Sequence, residues 1–491
     1  LAKGWAEKHL PSLQRLKRNG LYFNRAYTAA CQCSPSRAVM MSGRFAPVNR
    51  VTRTFLWPGL QHQDRLPTVA TLLREKAGYE TVWKGKWHLS FAANAAKGYG
   101  GERWTPDDIA VMEKNWGWSQ WNPPDAGNAI EEVETDQFGT YSGVATLGGG
   151  DPNNDGRFVM GMDPAATRQT PGVAGGESVV DFLRHRAPKL GKHFCLFVSL
   201  VNPHDIGAFP GWWKPAGFER AAFADLGIEL PPNFDDDLST KPSVQKAARD
   251  SYNKFATLKT PEMEKEYVNF YAYLRTVVDR HLTTVLDTLE ETGLADNTII
   301  LRFADHGEGG LSHGMREKAY TAYEEMIHIP LIVHNRKLYP EPVQTEALYD
   351  HLDLLPTILD LAGVPNANSY ALGQSIVPVM KNPAAPGRSH TLFSFDDNFF
   401  LPADIAGGHI RAIREGDWTY AVYFNMARGQ PEYELYNLKS DPLEMKNLLY
   451  GEPAGDVRRE WSRLHRILSS SFVDAGNLPD SFSWPVNPIR N

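Results

Sequence analysis

Four segments of the chain are apolar almost without a break: "YETVWKG" from Tyr79, "FCLFVSLV" from Phe194, "NTIILRFA" from Asn297 and "IPLIV" from Ile329. A strand with one wet face alternates polar and apolar residues. Unbroken apolar strands therefore belong to a sheet covered on both faces, the usual setting of parallel strands joined by helices. Helical patterns lie between them, in "LPTVATLLREKAG" (Leu66 to Gly78) and "YVNFYAYLRTVVDRHLTTVLDTLEETG" (Tyr267 to Gly293). The expectation is an α/β fold with a largely parallel central sheet. The chain opens inside such a pattern. Pro11 suits a first helical turn, Leu10, Leu13 and Leu16 share a face, Gly20 ends the helix, and "LYFNRAYT" follows as a strand.

A chain of 491 residues is too long for a single core, and roughly two or three structural units are expected. The texture changes after "HLDLLPTILDLAGVP" (His351 to Pro365). Beyond Pro386, short strand-like pieces such as "HIRAIREGDWTYAVYF" and "PEYELYNL" are separated by turn residues and predict a smaller antiparallel sheet. The division expected is 1–380 for the α/β domain and 381–491 for a C-terminal α+β subdomain. From Phe91 to Gly176 the pattern dissolves into Gly, Asp, Asn and Trp, which reads as a loop-rich insertion. Inside it, "DPNNDG" (Asp151 to Gly156) imitates the start of a calcium loop. Met162 stands where such a loop needs a bidentate Glu, so a plain turn is expected.

Composition narrows the partners. The net charge is −7 and the Lys and Arg residues are scattered, which leaves no basic stripe for nucleic acid. No apolar run approaches the roughly 20 residues that cross a bilayer, and "LAKGWAEKHL" lacks the plan of a signal peptide. The chain reads as soluble, with compartment and oligomeric state unassigned. Cys31, Cys33 and Cys195 make no disulfide framework.

Chemistry gathers where the apolar strands end, as it does at the carboxyl ends of parallel strands. "YETVWKG" runs into Lys86 and His88, "FCLFVSLV" into Asn202, His204 and Asp205, and "NTIILRFA" into Asp305, His306 and Glu308. Each set alone also has a structural explanation as a turn or a hydrogen-bonded core group; their common position favours a site.

In "CQCSPSRAVMMSGR" (Cys31 to Arg44), Ser34 reads as an N-cap, Pro35 as a first helical residue and Gly43 as the stop. That puts Cys33 at the positive end of a helix dipole, where anions are welcome. Cys33 could there be a nucleophile of lowered pKa, a soft metal ligand, or a small buried residue. Zinc needs about four ligands, and there is no second close Cys pair to help supply them.

"CSPSRAVMMSG" (Cys33 to Gly43) resembles the signature of the type I sulfatases, and "GYETVWKGKWH" (Gly78 to His88) resembles that family's second signature. The likeness continues through "NPHDI", "FADHGE", "MREKAYTAYEEMIHIPLIV" and "YELYNLKSDPLEMKNL", covering most of the chain outside 91–176. It implies the alkaline-phosphatase-like α/β sandwich and hydrolysis of sulfate monoesters. It implies that Cys33 is oxidised by a formylglycine-generating enzyme to an aldehyde, whose hydrate attacks sulfur with one hydroxyl and expels sulfate with the other. Cys31 is read as structural. By the same resemblance Arg37 holds the diol, Lys86 and Lys318 offset charge on the sulfuryl oxygens, His88 is the base of the exit step, and His204 and Lys318 serve the leaving oxygen.

The resemblance also implies a divalent cation, usually calcium, bound by Asp305, His306 and the oxygen carried at residue 33. His306 stands where many relatives carry Asn. Relatives begin with a strand ending in an Asp pair that completes this metal site; none precedes the helix at Leu10 here, and Glu7 is no substitute. A first strand preceding Leu1 is the expectation, with a noncatalytic anion binder as the alternative. Carbohydrate sulfate is the preferred substrate class, aryl or alkyl sulfate next, and phosphonate monoester or phosphodiester hydrolysis is the enzymatic rival. The aromatic runs "NWGWSQW" (Asn115 to Trp121) and "GWW" (Gly211 to Trp213) either stack on a substrate or bury the insertion.

Overall fold

The computed structural model describes residues 4–54, 66–90, 106–121, 154–160, 177–397 (without 212, 215, 216, 319 and 368), 408–424, 430–473, 476–478 and 484. The α/β part is built on β1 (Gly20–Tyr27), β2 (Glu80–Gly85), β3 (Phe194–Ser199), β4 (Ile300–Phe303), β5 (Leu331–His334) and β6 (Val343–Asp350). One sheet has the order β4-β5-β1-β6, and β2 pairs with β3 in a second. The pairs β1–β6 and β2–β3 are parallel, whereas β5 runs antiparallel to both β1 and β4. The sheet is therefore mixed, with β1, β4 and β6 running one way and β5 the other. Unbroken apolar sequence reports burial on both faces, and Leu331, Ile332 and Val333 are indeed buried; it carries no information on direction.

Helices flank these strands as their apolar stripes require. The helix Pro11–Arg18 buries Leu13 and Leu16. Its first turn is pinned to the long helix Pro261–Glu291 by Asp279, which accepts from Ser12 N (3.0 Å) and Leu13 N (3.2 Å). The long helix begins six residues before the apolar stripe does, because Thr260 caps it by accepting from Met263 N at 3.3 Å. Val69–Ala77 starts on a Thr68 capping box and stops at Gly78, whose φ of 69° suits glycine.

The C-terminal sheet comprises β7 (Thr391–Phe395), β8 (His409–Glu415), β9 (Trp418–Phe424) and β10 (Glu432–Asn437), all antiparallel in the order β10-β9-β8-β7. The helix Gly455–Val473 lays Leu464, Leu468 and Phe472 on it, against Tyr420, Val422 and Leu435. Bridges Ala30–Ser394 and Leu348–Arg388 join this sheet to the α/β part.

The insertion corrects one expectation and decides between two others. Its described residues include the helices Pro106–Trp116 and Asn154–Met160, so "DPNNDG" runs into a helix at Asn154 where a turn is predicted. Trp116, Trp118 and Trp121 are core residues, packed with Trp83, Trp87, Leu72 and Leu73. Trp213 packs its ring edge to face on Phe223 at 5.2 Å; Trp212 lies outside the described residues. These four indoles are structural.

β3 and β4 are a special case. Among the described residues each has a single strand partner, and both pack against the same two core clusters, Cys195, Phe197, Leu301 and Phe303 on one side and Leu196, Val198 and Ile300 on the other. All ten of their residues are only half-buried, despite apolar sequences. No described helix is long and apolar enough to cross a membrane.

Candidate active site

The carboxyl ends of β1, β2, β3 and β4 converge on the start of one helix. That helix is Cys33–Ser42, ended by Gly43 at φ 65°. Its N-cap is Gln32, not Ser34: the Ser34 hydroxyl instead donates to the His88 carbonyl at 2.7 Å, tying the residue after Cys33 to the end of the β2 segment. Cys33 is buried at the positive end of the helix dipole.

Lys86 Nζ lies 3.4 Å from Cys33 Sγ, and His306 Nε2 lies 3.2 Å from it. Burial alone would raise the Cys33 thiol. The charges of Lys86, His306 and Lys318, with a hydrogen bond to His204, instead hold it well below its ordinary value. His204, in the short turn His204–Ala208 after β3, is pushed down to about 4 by burial and by the neighbouring Lys86 and Lys318 charges, so its imidazole is neutral near pH 7.

Arg37 is one turn along the helix, and its guanidinium faces the strand ends. Nε donates to Asp305 Oδ2 (3.0 Å), and Nη1 to the Lys86 carbonyl (2.8 Å) and the Ser199 hydroxyl (2.9 Å). One side chain thus links the ends of β2, β3 and β4. The hydroxyls of Thr28 and Ser36 add two bonds to the Asp305 carbonyl, at 2.8 and 2.5 Å. Although burial opposes it, the positive charges of His306 and Arg37 hold the Asp305 carboxyl at about 2.

His306 Nδ1 lies 2.7 Å from the Gly307 carbonyl, which can only accept, so Nδ1 carries a proton and Nε2 faces residue 33. The ligand atoms of Cys33, Asp305 and His306 all lie within 4.8 Å of one another. This donor set fits part of a cation's shell. Asp305 Oδ1 and His306 Nε2 are 3.8 Å apart, while Asp305 Oδ2 is committed to Arg37. A calcium ion takes 6–8 oxygens, so other groups would have to complete the shell.

Lys318 follows the tight loop from Gly309 to Glu317 and bonds through Nζ to Glu317 Oε2 at 2.7 Å. It lies in electrostatic range of both Cys33 and His204. His88 is buried in a left-handed backbone (φ 60°) just beyond Lys86. Asn202 and Asp205 bond to each other, at 3.1 Å between side chains, and shape the turn that presents His204. Cys31 is buried, its thiol raised by burial and facing the Met326 carbonyl at 3.7 Å. Sequence reasoning missed Glu317, Thr28 and Ser199, which only their neighbours in space mark, and gave no role to Ser36, although it lies inside the Cys33 signature.

A family model described as "Sulfatase" matches residues 2–364. The chain belongs to the sulfatase family. It is a sulfuric ester hydrolase of alkaline-phosphatase-like fold, as the two signatures predict. A second model, "N-sulphoglucosamine sulphohydrolase, C-terminal", matches residues 311–469. The sulfatase is 24% identical to the N-acetylglucosamine-6-O-sulfatase of Bacteroides thetaiotaomicron, over 96% of this chain and 83% of that protein. A solved 2-O GAG sulfatase superposes with a TM-score of 0.67 at 22% identity, covering 96% of this chain and 88% of that one. The phosphonate monoester hydrolase of Silicibacter pomeroyi superposes at 0.64 and 23% identity, over 97% of this chain and 93% of that one. At these identities the structural likenesses establish the fold.

Proposed function

We propose that the protein hydrolyses sulfate monoesters of a carbohydrate through a formylglycine made from Cys33 by a formylglycine-generating enzyme, with a divalent cation, calcium, at Asp305 and His306. The observation that carries this reading is the seat of residue 33: buried, first in its helix, with Lys86 Nζ and His306 Nε2 both within 3.4 Å of its side-chain tip. The name of the Bacteroides relative supports a sugar as the leaving group.

The hydrated aldehyde would supply an attacking hydroxyl and a second one whose deprotonation expels sulfate, and the cation would supply fixed positive charge for a sulfuryl oxygen. The protein's own groups do the rest. Lys86, with the helix terminus, offsets charge on the other sulfuryl oxygens without reorganising. Neutral His204 hydrogen-bonds the sulfuryl group, and Lys318 gives its proton to the departing sugar oxygen. His88 takes the proton of the exit step. Arg37, engaged with Asp305 and the strand ends, positions the cluster. The oxygen ligands still needed by the cation would have to come from groups other than Cys33, Asp305 and His306.

Mass analysis of the Cys33 peptide after co-expression with a formylglycine-generating enzyme tests the proposal, together with a turnover panel of sulfated sugars, aryl sulfates, phosphonate monoesters and phosphodiesters. Aldehyde at residue 33 and fastest turnover of a sugar sulfate are expected. An unconverted thiol with no turnover would leave an anion-binding protein, and preference for the phosphorus esters would make it a phosphonate or phosphodiester hydrolase.

A further inference from the structure

Two of the site's three Lys and Arg side chains are already paired with carboxylates. Arg37 bonds to Asp305, and Lys318 bonds to Glu317. Lys86 has no carboxylate within ion-pair distance among the described residues, and its ammonium points at residue 33. The partner of Lys318 is its own predecessor in the chain. Neighbouring side chains normally point apart, and they meet here because Glu317 adopts a left-handed backbone (φ 67°).

A dedicated scaffold holds that turn. Glu308 Oε1 accepts from Glu317 N (2.8 Å), Gly310 N (3.2 Å) and the Tyr267 hydroxyl (2.9 Å), and Gly309 N donates to the Glu317 carbonyl (2.9 Å). A non-glycine residue in this conformation is disfavoured and persists where its surroundings fix it. Glu317 and Lys318 are both largely buried, at 19% and 12% side-chain exposure, so their mutual charge compensation is weakly screened.

Resting on the sulfatase reading above, we infer that Glu317 is a specificity-determining residue: by neutralising Lys318 it limits the positive charge around residue 33 and so favours esters with one negative charge over esters with two. A sulfate monoester carries one negative charge and a phosphate monoester near neutral pH carries two; with a shared leaving group, the two differ at the reacting centre alone. An unpaired Lys318 would strengthen binding of the second charge, whereas Glu317 repels it.

The ratio of kcat/KM for 4-nitrophenyl sulfate to that for 4-nitrophenyl phosphate is measured for the wild type, Glu317→Gln and Glu317→Asp. Glu317→Gln should shift the ratio toward phosphate by about tenfold, the scale of one charge acting across a partly buried site. Glu317→Asp should restore most of the wild-type ratio. Equal loss on both esters, with the ratio unchanged, would reduce Glu317 to a loop support and overturn the inference while leaving the sulfatase reading intact. A wild type inactive on every sulfate ester would remove that reading, and this one with it. Competition on the wild type needs no variant to fold: methyl sulfate, singly charged, should inhibit at least as strongly as inorganic sulfate, and tighter binding of the dianion by about tenfold or more would count against the role given to Glu317.

Discussion

Arg37 Nε donates to Asp305 Oδ2 at 3.0 Å across the gap between the helix Cys33–Ser42 and the end of β4. Both side chains are mostly buried, at 7% and 22% exposure. Removing one partner of such a pair leaves the other charged and unpaired, which costs far more than the pair contributes net. Arg37→Met is therefore expected to destabilise by about 3 kcal/mol in urea unfolding and to abolish turnover. Arg37→Lys keeps the charge and loses the fork that reaches Asp305, Lys86 and Ser199 together, so stability should partly recover while kcat stays low.

Trp118 packs edge to face against the stacked Trp83 and Phe197, with ring centroids at 5.1 and 4.9 Å, and is fully buried. Trp118→Ala should lower stability by roughly 3–5 kcal/mol through the cavity it leaves, with KM for a sugar sulfate unchanged in whatever fraction stays folded. A raised KM at unaltered stability would restore the substrate-stacking role.

The Lys84 side chain is completely buried, and its ammonium binds the carbonyls of Gln120 and Glu177, the latter bond being the shorter. Those two residues flank the segment from Trp121 to Gly176, so one cation fastens both of its ends. Lys84→Met should cost about 1–3 kcal/mol, since two buried carbonyls lose their donor. Hydrogen exchange should quicken around 118–121 and 177–181 before it does in β3.

Asp396, at the end of β7, bonds to Arg411 Nη1 (2.9 Å) and His409 Nδ1 (2.7 Å). Burial opposes its ionisation, yet Arg411 and His409 lower its pKa from 3.8 to about 2. A carboxyl depressed by folding stabilises the fold above its unfolded pKa and loses that contribution as pH falls through the folded value. Asp396→Asn should therefore cost about 2 kcal/mol at pH 7, and the gap to wild type should shrink as the pH drops from 4 toward 2. Urea midpoints along that series check the sign.

The parts of the fold legible in the sequence were those where burial and chemistry share one periodicity. β2 through β5 and the helices after Thr68 and Thr260 follow from their apolar patterns and caps. The direction of β5 does not, because its residues are covered on both faces whichever way it runs. Ser34 has the chemistry of an N-cap, and only the fold shows its hydroxyl spent on His88 O. Lys86, Asp305 and His306 were found as residues that follow strands, and Arg37 through the resemblance of the Cys33 segment to a family signature. Glu317 was invisible because adjacency in sequence normally separates side chains, and a single φ angle reverses that.

The half-covered strands β3 and β4 carry a consequence for how this protein behaves in a test tube. A strand bonded on one side offers a row of free amide and carbonyl groups that will zip to any extended peptide of suitable polarity. Two such rows, rich in Phe, Leu and Val and meeting at Arg37, lie open among the described residues and form a template for pairing. The protein should therefore stick to itself as its concentration rises, and a short apolar peptide supplied in excess should suppress the sticking.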